Sequence, residues 1–340
     1  MTLMNKIILW LILVSTLVVG ASYFLLRQPA TKITPPEAQK IEQEQESGPF
    51  FNIESLRKRK FEGGKIKVGN VLIKNDKFTS YLISYPSDGL KITGYANIPK
   101  GDGPFPTIVL LHGWFPQGQY QTGFGTKREA DFFAQNGFST VAPDYRGYAN
   151  SDKAEDGPSP LRSGYVIDVL NLLASLKSLP QVNQDRVFLW GHSMGGGIAL
   201  RTLVVNSSVK DNPNIKAAVL FAPRSADLVD EYKALIDSGE EDRQVAEAFR
   251  EKYGSPEENP TIYQRMSPIN YFDSITLPIS IHHSQGDTHN SISWSEKLKS
   301  ALEKKGKRVE FFTYPGDQHT FLGKNWEEAV KRSLNFFNKY

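Results

Sequence analysis

The chain has 340 residues, 39% hydrophobic and 23% charged, enough to bury a sizeable core in one large domain or a domain with a small insertion. Its 40 basic and 37 acidic residues leave a net charge of +3, a balance that gives no argument for nucleic acid or for an acidic substrate. The sequence contains no cysteine, which excludes disulfides, thiolate metal sites, a cysteine nucleophile and a lipid-modified N-terminal cysteine.

Residues 7–26 are uncharged and nearly all apolar, between Lys6 and Arg27. A helix of that length rises about 30 Å, the thickness of a hydrocarbon core. Residues 1–27 are therefore expected to be a membrane anchor or a signal sequence. A cleaved signal usually has a shorter apolar region and a small-x-small site, which Val19-Gly20-Ala21 matches poorly. The expectation is contact with a lipid bilayer through residues 7–26 and an extracytoplasmic position for the rest of the chain, the alternative being secretion after cleavage. Residues 28–64 read as a polar linker, with Pro29, Pro35, Pro36 and the run Glu42-Gln43-Glu44-Gln45-Glu46. Arg57-Lys58-Arg59-Lys60 reads as the solvated end of that linker.

Residues 65–340 form the expected folded domain. From about Lys65 to Pro99 apolar and polar residues alternate, as at Ile66/Val68 and Tyr81/Ile83/Tyr85, with a turn at Ser87-Asp88-Gly89. This pattern predicts antiparallel strands. Short apolar runs then recur at Thr107–Leu111, Ser139–Ala142, Val187–Trp190, Ala217–Phe221, Ile279–His282 and Val309–Phe312. Nearly continuous runs are expected of parallel strands covered on both faces. Helical patterns lie between them at 126–136, Val166–Leu176, 195–205, 294–305 and 326–338. The fold class is α/β, a mostly parallel doubly wound sheet with antiparallel N-terminal strands. A small helical cap insertion is expected at about 224–272, with 226–253 helix-prone and Tyr263–Tyr271 loop-like.

The strongest chemical signal is Gly191-His192-Ser193-Met194-Gly195, which follows the strand Val187–Trp190 and opens a helix. Gly-x-Ser-x-Gly is common by chance but specific in a strand–turn–helix setting. The turn is tight, so two flanking positions must lack bulk. It aims the hydroxyl out of the sheet edge at a helix N-terminus, where free amides favour negative charge. A serine needs a base. His319 stands in a loop past the last predicted strand, whereas His112 and His192 lie inside other motifs and His282 and His283 finish a strand as packing or edge residues. The imidazole needs an orienting carboxylate. Asp287 follows Ile279–His282, while the rival Asp317 lies only two residues from His319, a poor geometry for gripping its ring. His283, Asp287 and His289 could also be read as metal ligands, but the triad accounts for Asp287 without metal. Attack on a carbonyl produces an oxyanion. The backbone N–H groups of Trp114, in the turn Leu110-Leu111-His112-Gly113-Trp114, and of Met194 are the expected donors. Phe115 and Tyr120 are candidates to line the substrate pocket. Asp144-Tyr145-Arg146-Gly147 is expected to fix a loop by Asp–Arg pairing.

Together these motifs resemble the α/β-hydrolase superfamily, and within it the catalytic domain of the prolyl oligopeptidase family of serine peptidases. The resemblance spans roughly Tyr81 to Tyr340. It runs from Asn97-Ile98-Pro99 and Pro106–Gly113 through Asp144–Gly147 and Val182-Asn183-Gln184-Asp185-Arg186. Trp294-Ser295-Glu296-Lys297-Leu298 and Tyr314-Pro315-Gly316 close it. It implies Ser193, Asp287 and His319 as the catalytic triad, in the chain order of that superfamily. Two departures bear on substrate. The elbow reads Gly-His-Ser-Met-Gly, shared with many esterases and lipases, where the peptidases more often have Gly-Gly-Ser-Tyr-Gly. The sequence also shows no N-terminal β-propeller.

The expected function is a serine hydrolase acting through an acyl-enzyme on short peptides or acyl esters, a peptidase first and a carboxylesterase or other acyl hydrolase as the alternative. No metal or organic cofactor is implied. A catalytically dead, anchored binding module is a third reading, against which a complete triad argues.

Overall fold

Nine strands among the described residues form one sheet in the order β1-β2-β3-β5-β4-β6-β7-β8-β9. The computed structural model describes residues 52–154, 163–316 and 319–340. The apolar stretch 7–26, the linker up to residue 51 and Asp317 lie outside the described residues. No helix among those described is long and apolar enough to cross a membrane.

The alternating segment gives β1 (Lys67–Lys74), β2 (Phe78–Ser87) and β3 (Leu90–Pro99), paired antiparallel. β3 pairs antiparallel with β5 (Ser139–Pro143), which joins the sheet to its parallel part. That part contains β4 (Phe105–Leu111), β6 (Val182–His192), β7 (Ile215–Phe221), β8 (Ile279–Ser284) and β9 (Val309–Tyr314). The chain leaves β4 for β5 on one side, then returns to β6 on the other. The carboxyl ends of β4 and β6 thus flank the switch point, where open α/β sheets form their ligand crevice.

Strand alternation splits the core in two. Val109, Leu111, Val187 and Leu189 face one layer; Ile108, Leu110, Phe188 and Trp190 face the other. The first layer is covered by α1 (Ile53–Lys58), α3 (Ser163–Ser175), α4 (Met194–Asn206) and α8 (Ile292–Lys304). The second is covered by α2 (Lys127–Gln135) and α9 (Gly323–Lys339), where Phe133, Phe138, Phe188 and Phe337 meet ring to ring. Every parallel strand and flanking helix predicted from the periodicity is present, with ends moved by a few residues.

Three local expectations need correction. Composition places residues 52–64 in the linker, but they fold onto the domain. Asn52 caps α1 by accepting from Ser55 N–H, and Ile53, Leu56 and Phe61 are buried, each side chain worth about 2 kcal/mol when withdrawn from water. Within the basic cluster, Arg57 donates to Ser208 Oγ and Arg59 pairs with Asp88. The second correction concerns Arg146, which does not pair with Asp144. It donates to the buried Asp168 at 2.8 Å, while Asp144 accepts from Thr93, Tyr120 and Thr122. Third, the insertion after β7 is helical through Tyr263–Tyr271. It comprises α5 (Leu228–Asp237), α6 (Glu240–Tyr253), α7 (Pro260–Met266) and a 3-10 segment, Pro268–Ser274. It docks on the α1/α4/α8 face, with Arg265 on Glu54 and Lys297 bridging Asp227 and Asp230.

Candidate active site

Ser193 is the hinge between β6 and α4. Its backbone sits at φ 53°, ψ −118°, a left-handed conformation that non-glycine residues adopt only under constraint. The constraint is visible. Ser193 N–H donates to Phe221 O at 2.9 Å, and Ser193 O accepts from the N–H groups of Gly196, Gly197 and Arg224. Close packing demands the flanking glycines: a Cβ at Gly195 would lie 2.0 Å from Leu111 O, and one at Gly191 2.5 Å from Gly195 O. As the first residue of α4, Met194 carries an N–H with no partner inside its own helix. The loop after β4 closes against this turn, since a Cβ at Gly113 would lie 3.4 Å from Ser193 Cβ. Trp114 follows directly and is 62% exposed. Both expected oxyanion donors therefore belong to segments that meet at Ser193.

His319 comes to the elbow from the loop after β9. Its carbonyl accepts from His192 Nε2 at 2.9 Å, and the two imidazoles lie 4.7 Å apart. Burial, with His319 nearby, lowers the His192 pKa to about 4, so His192 is a neutral donor at physiological pH. His319 Nδ1 lies 2.8 Å from Asp287 Oδ2. An ionised carboxylate only accepts, so Nδ1 carries the proton and Nε2 keeps its lone pair for a hydroxyl. Asp287 lies past β8 and folds its own loop around itself, its Oδ1 accepting from His289 N–H (2.8 Å) and Asn290 N–H (3.0 Å). Asn290 Nδ2 in turn donates to Ala222 O at 2.7 Å, tying the acid loop to the end of β7. Burial works against the charge on Asp287. The hydrogen bonds from His283, His319 and Asn290 N–H prevail and hold its carboxyl well below the usual range.

Tyr120 departs from its expected role. Its ring is buried and stacked on His112 at 4.5 Å, and its hydroxyl donates to Asp144 Oδ1 at 3.1 Å. It belongs to the scaffold under the turn after β4, with its hydroxyl committed to Asp144. Phe115 is partly buried between Tyr120 and Phe124. His112 is structural, packed between Tyr120 and Tyr145.

His283 is the residue whose role the sequence conceals. Its place at the end of an apolar strand predicts packing, yet its Nε2 lies 3.3 Å from Asp287 Oδ2. The only signal is its position four residues before the acid. Donor atoms of Asp287, His289 and His319 lie within 4.8 Å of one another, spacing that could hold a metal ion. The orientation does not favour one. The rings of His289 and His319 lie in nearly parallel planes, and Nδ1 of His319 is already engaged with Asp287.

Comparison with known proteins agrees with this frame. Residues 124–340 match the family model Peptidase_S9, the prolyl oligopeptidase family. YtmA of Bacillus subtilis strain 168, described as an uncharacterized peptidase, is 26% identical over 254 residues, covering 74% of this chain and 90% of YtmA. The structure of acetyl xylan esterase 1 from Thermoanaerobacterium superposes with a TM-score of 0.64 at 18% identity, covering 86% of this chain and 98% of that one. That of a putative dipeptidyl aminopeptidase IV from Bacteroides ovatus gives 0.62 at 20% identity, covering 78% of this chain; the match takes in 36% of that longer protein. At these identities the two structures speak for the fold alone. The family match, over more than half of the sequence, goes further: this chain belongs to the prolyl oligopeptidase family and is a serine hydrolase.

Proposed function

We propose that the chain hydrolyses short peptides through an acyl-enzyme on Ser193. His319 Nε2 takes the hydroxyl proton as Ser193 Oγ attacks the carbonyl. Asp287 stabilises the imidazolium, and the N–H groups of Trp114 and Met194 receive the oxyanion. His319 then returns the proton to the leaving amine, and water repeats the sequence to release the acid. The observation that carries this reading is the 2.8 Å contact of His319 Nδ1 with Asp287 Oδ2, made beside a serine held at positive φ. A fluorophosphonate probe labels the wild-type chain and not Ser193→Ala; equal labelling of both would reject the assignment. Short chromogenic peptides are cleaved by the same preparation.

The elbow Gly191-His192-Ser193-Met194-Gly195 favours a second reading, an acyl esterase. Turnover of p-nitrophenyl acetate with no peptide cleaved would select it. The proposal also places the enzyme on the extracytoplasmic side of a bilayer, tethered through residues 7–26, on the strength of that uncharged apolar run. The full chain then stays with membranes after alkaline carbonate extraction, whereas release into the supernatant fits a cleaved signal. The helical insertion after β7, whose first residues touch the elbow through Arg224 N–H, shapes access to Ser193.

A further inference from the structure

We infer that His283 is a positioning residue of the catalytic machinery: it holds the carboxylate of Asp287 from behind and moderates that carboxylate's grip on His319. The inference rests on the triad reading above and adds a fourth member to it.

His283 is fully buried at the end of β8. Its Nε2 faces two oxygens that can only accept, Asn290 O at 3.0 Å and Asp287 Oδ2 at 3.3 Å. Nε2 therefore carries a proton. Nδ1 lies 2.7 Å from Ser295 Oγ on α8, and in the neutral ring it accepts the hydroxyl proton. A continuous line of polar contacts results, from Ser295 through His283, whose Nε2–H is shared between Asn290 O and Asp287 Oδ2, to His319. The ring does two things at once. By donating to Asn290 O and Asp287 Oδ2 it closes the loop whose N–H groups grip the other oxygen of the same carboxylate. By donating to Oδ2, the oxygen that His319 uses, it withdraws charge from the atom that orients the base. Among the described residues, the other titratable groups facing the Asp287–His319 pair are His192 and His289, each packed on the His319 ring.

The test compares two substitutions that differ in reach. Glutamine at 283 brings an amide N–H close to the place of Nε2. Asparagine is one methylene shorter, so it can meet Ser295 but cannot reach Asp287. Both are measured in the full chain on p-nitrophenyl acetate across pH, with active sites counted by fluorophosphonate titration so that unfolded chains do not enter the rate. His283→Asn is expected to lower kcat about tenfold with KM nearly unchanged. The acid limb of its kcat/KM profile moves to higher pH by about half to one unit, because an unshared carboxylate holds the imidazolium proton more tightly. His283→Gln restores most of the rate and the wild-type acid limb. A purely structural role predicts that the two variants behave alike, or that the acid limb of His283→Asn stays in place; either result overturns the inference. Nitrogen-15 NMR of the wild-type imidazole provides a check independent of folding losses: the Nε2–H tautomer supports the inference and the Nδ1–H tautomer overturns it. A wild-type chain that takes no fluorophosphonate label rejects the triad reading itself, an outcome distinct from a labelled enzyme indifferent to His283.

Discussion

Both Ser193 and His319 follow the carboxyl end of a strand, yet the two are held by different means. The serine sits where β6, a central strand, meets a helix whose every residue is buried. Its place is dictated by backbone against backbone: Gly195 against Leu111, Gly191 against Gly195. The histidine follows β9, an edge strand that is only half-buried over most of its length. Side-chain contacts place it: Asp287 on Nδ1, His192 on its carbonyl and the His289 ring stacked at 4.9 Å. Steric placement tolerates almost no added volume and is indifferent to pH. Hydrogen-bonded placement tolerates changes of shape but depends on donors and charge. The two halves of the site should therefore fail differently.

The largest effect is expected from Asp287→Asn. An amide can offer its own N–H toward Nδ1, which leaves the proton on Nε2 and the base blocked. A loss of about 10³–10⁴ in kcat is expected, as for the same substitution in other triads. Little should change in fluorescence-detected folding. A loss under tenfold would mean that His319 is held without the carboxylate, and the contrast between the two halves would fail.

Gly195→Ala tests the other half. The added Cβ must find room 2.0 Å from Leu111 O, where only backbone can yield. A destabilisation of about 1–3 kcal/mol or more is expected, read as a lower urea midpoint, together with lost activity. An unchanged midpoint with full activity would show that the elbow can shift and that sterics do not set it.

Much of this division is legible in the sequence. Glycines spaced around a serine after an apolar run can be read locally, since the reason for them is local. The order Ser193, Asp287, His319, each after its own strand, is legible because strand ends gather at one sheet edge. What stays hidden depends on register and distance. His283 looks like core because a histidine finishing an apolar strand usually is; only the turn of the loop at Asp287 shows what its Nε2 meets. Proximity along the chain pairs Arg146 with Asp144, while the fold brings it the buried Asp168 from α3. Residues 53–61 read as linker because four consecutive basic residues outweigh three scattered apolar ones in any composition. Ile53 and Leu56 nevertheless share one helical face, and that face is buried.

A third prediction concerns pH and the folded state as a whole. Burial lowers the pKa of His112 to about 4 and that of His282 to about 3. In an unfolded chain both titrate near 6.5. Between these limits the unfolded state binds more protons, so stability rises with pH in that window. It is fully present above pH 6.5 and lost as the pH falls toward 4, by about 3 kcal/mol for each group. Urea midpoints measured from pH 7.5 to 4 should fall accordingly, and His282→Gln should flatten the slope. A wild-type midpoint that does not move across the window would mean that these rings accept protons in place.

The smallest effect should come from His192, a residue that belongs to both halves. Its backbone is part of the elbow; its Nε2 donates to His319 O. Phenylalanine at 192 keeps a ring beside the 4.7 Å contact with His319 but removes the donor, leaving a carbonyl without its partner at a cost of about 1 kcal/mol. If the base is placed by side-chain hydrogen bonds, kcat/KM falls several-fold, with most of the loss in kcat, and the urea midpoint barely moves. His192→Gln, which can still donate, recovers the rate. Since the pKa of His192 is lowered to about 4, its donor persists through the working pH range and the acid limb should not shift in either variant. That separates it from His283, whose loss acts through the charge on Asp287. A shift in His192→Phe equal to that in His283→Asn would show that both rings act on the carboxylate, and that placement and charge at His319 cannot be varied independently.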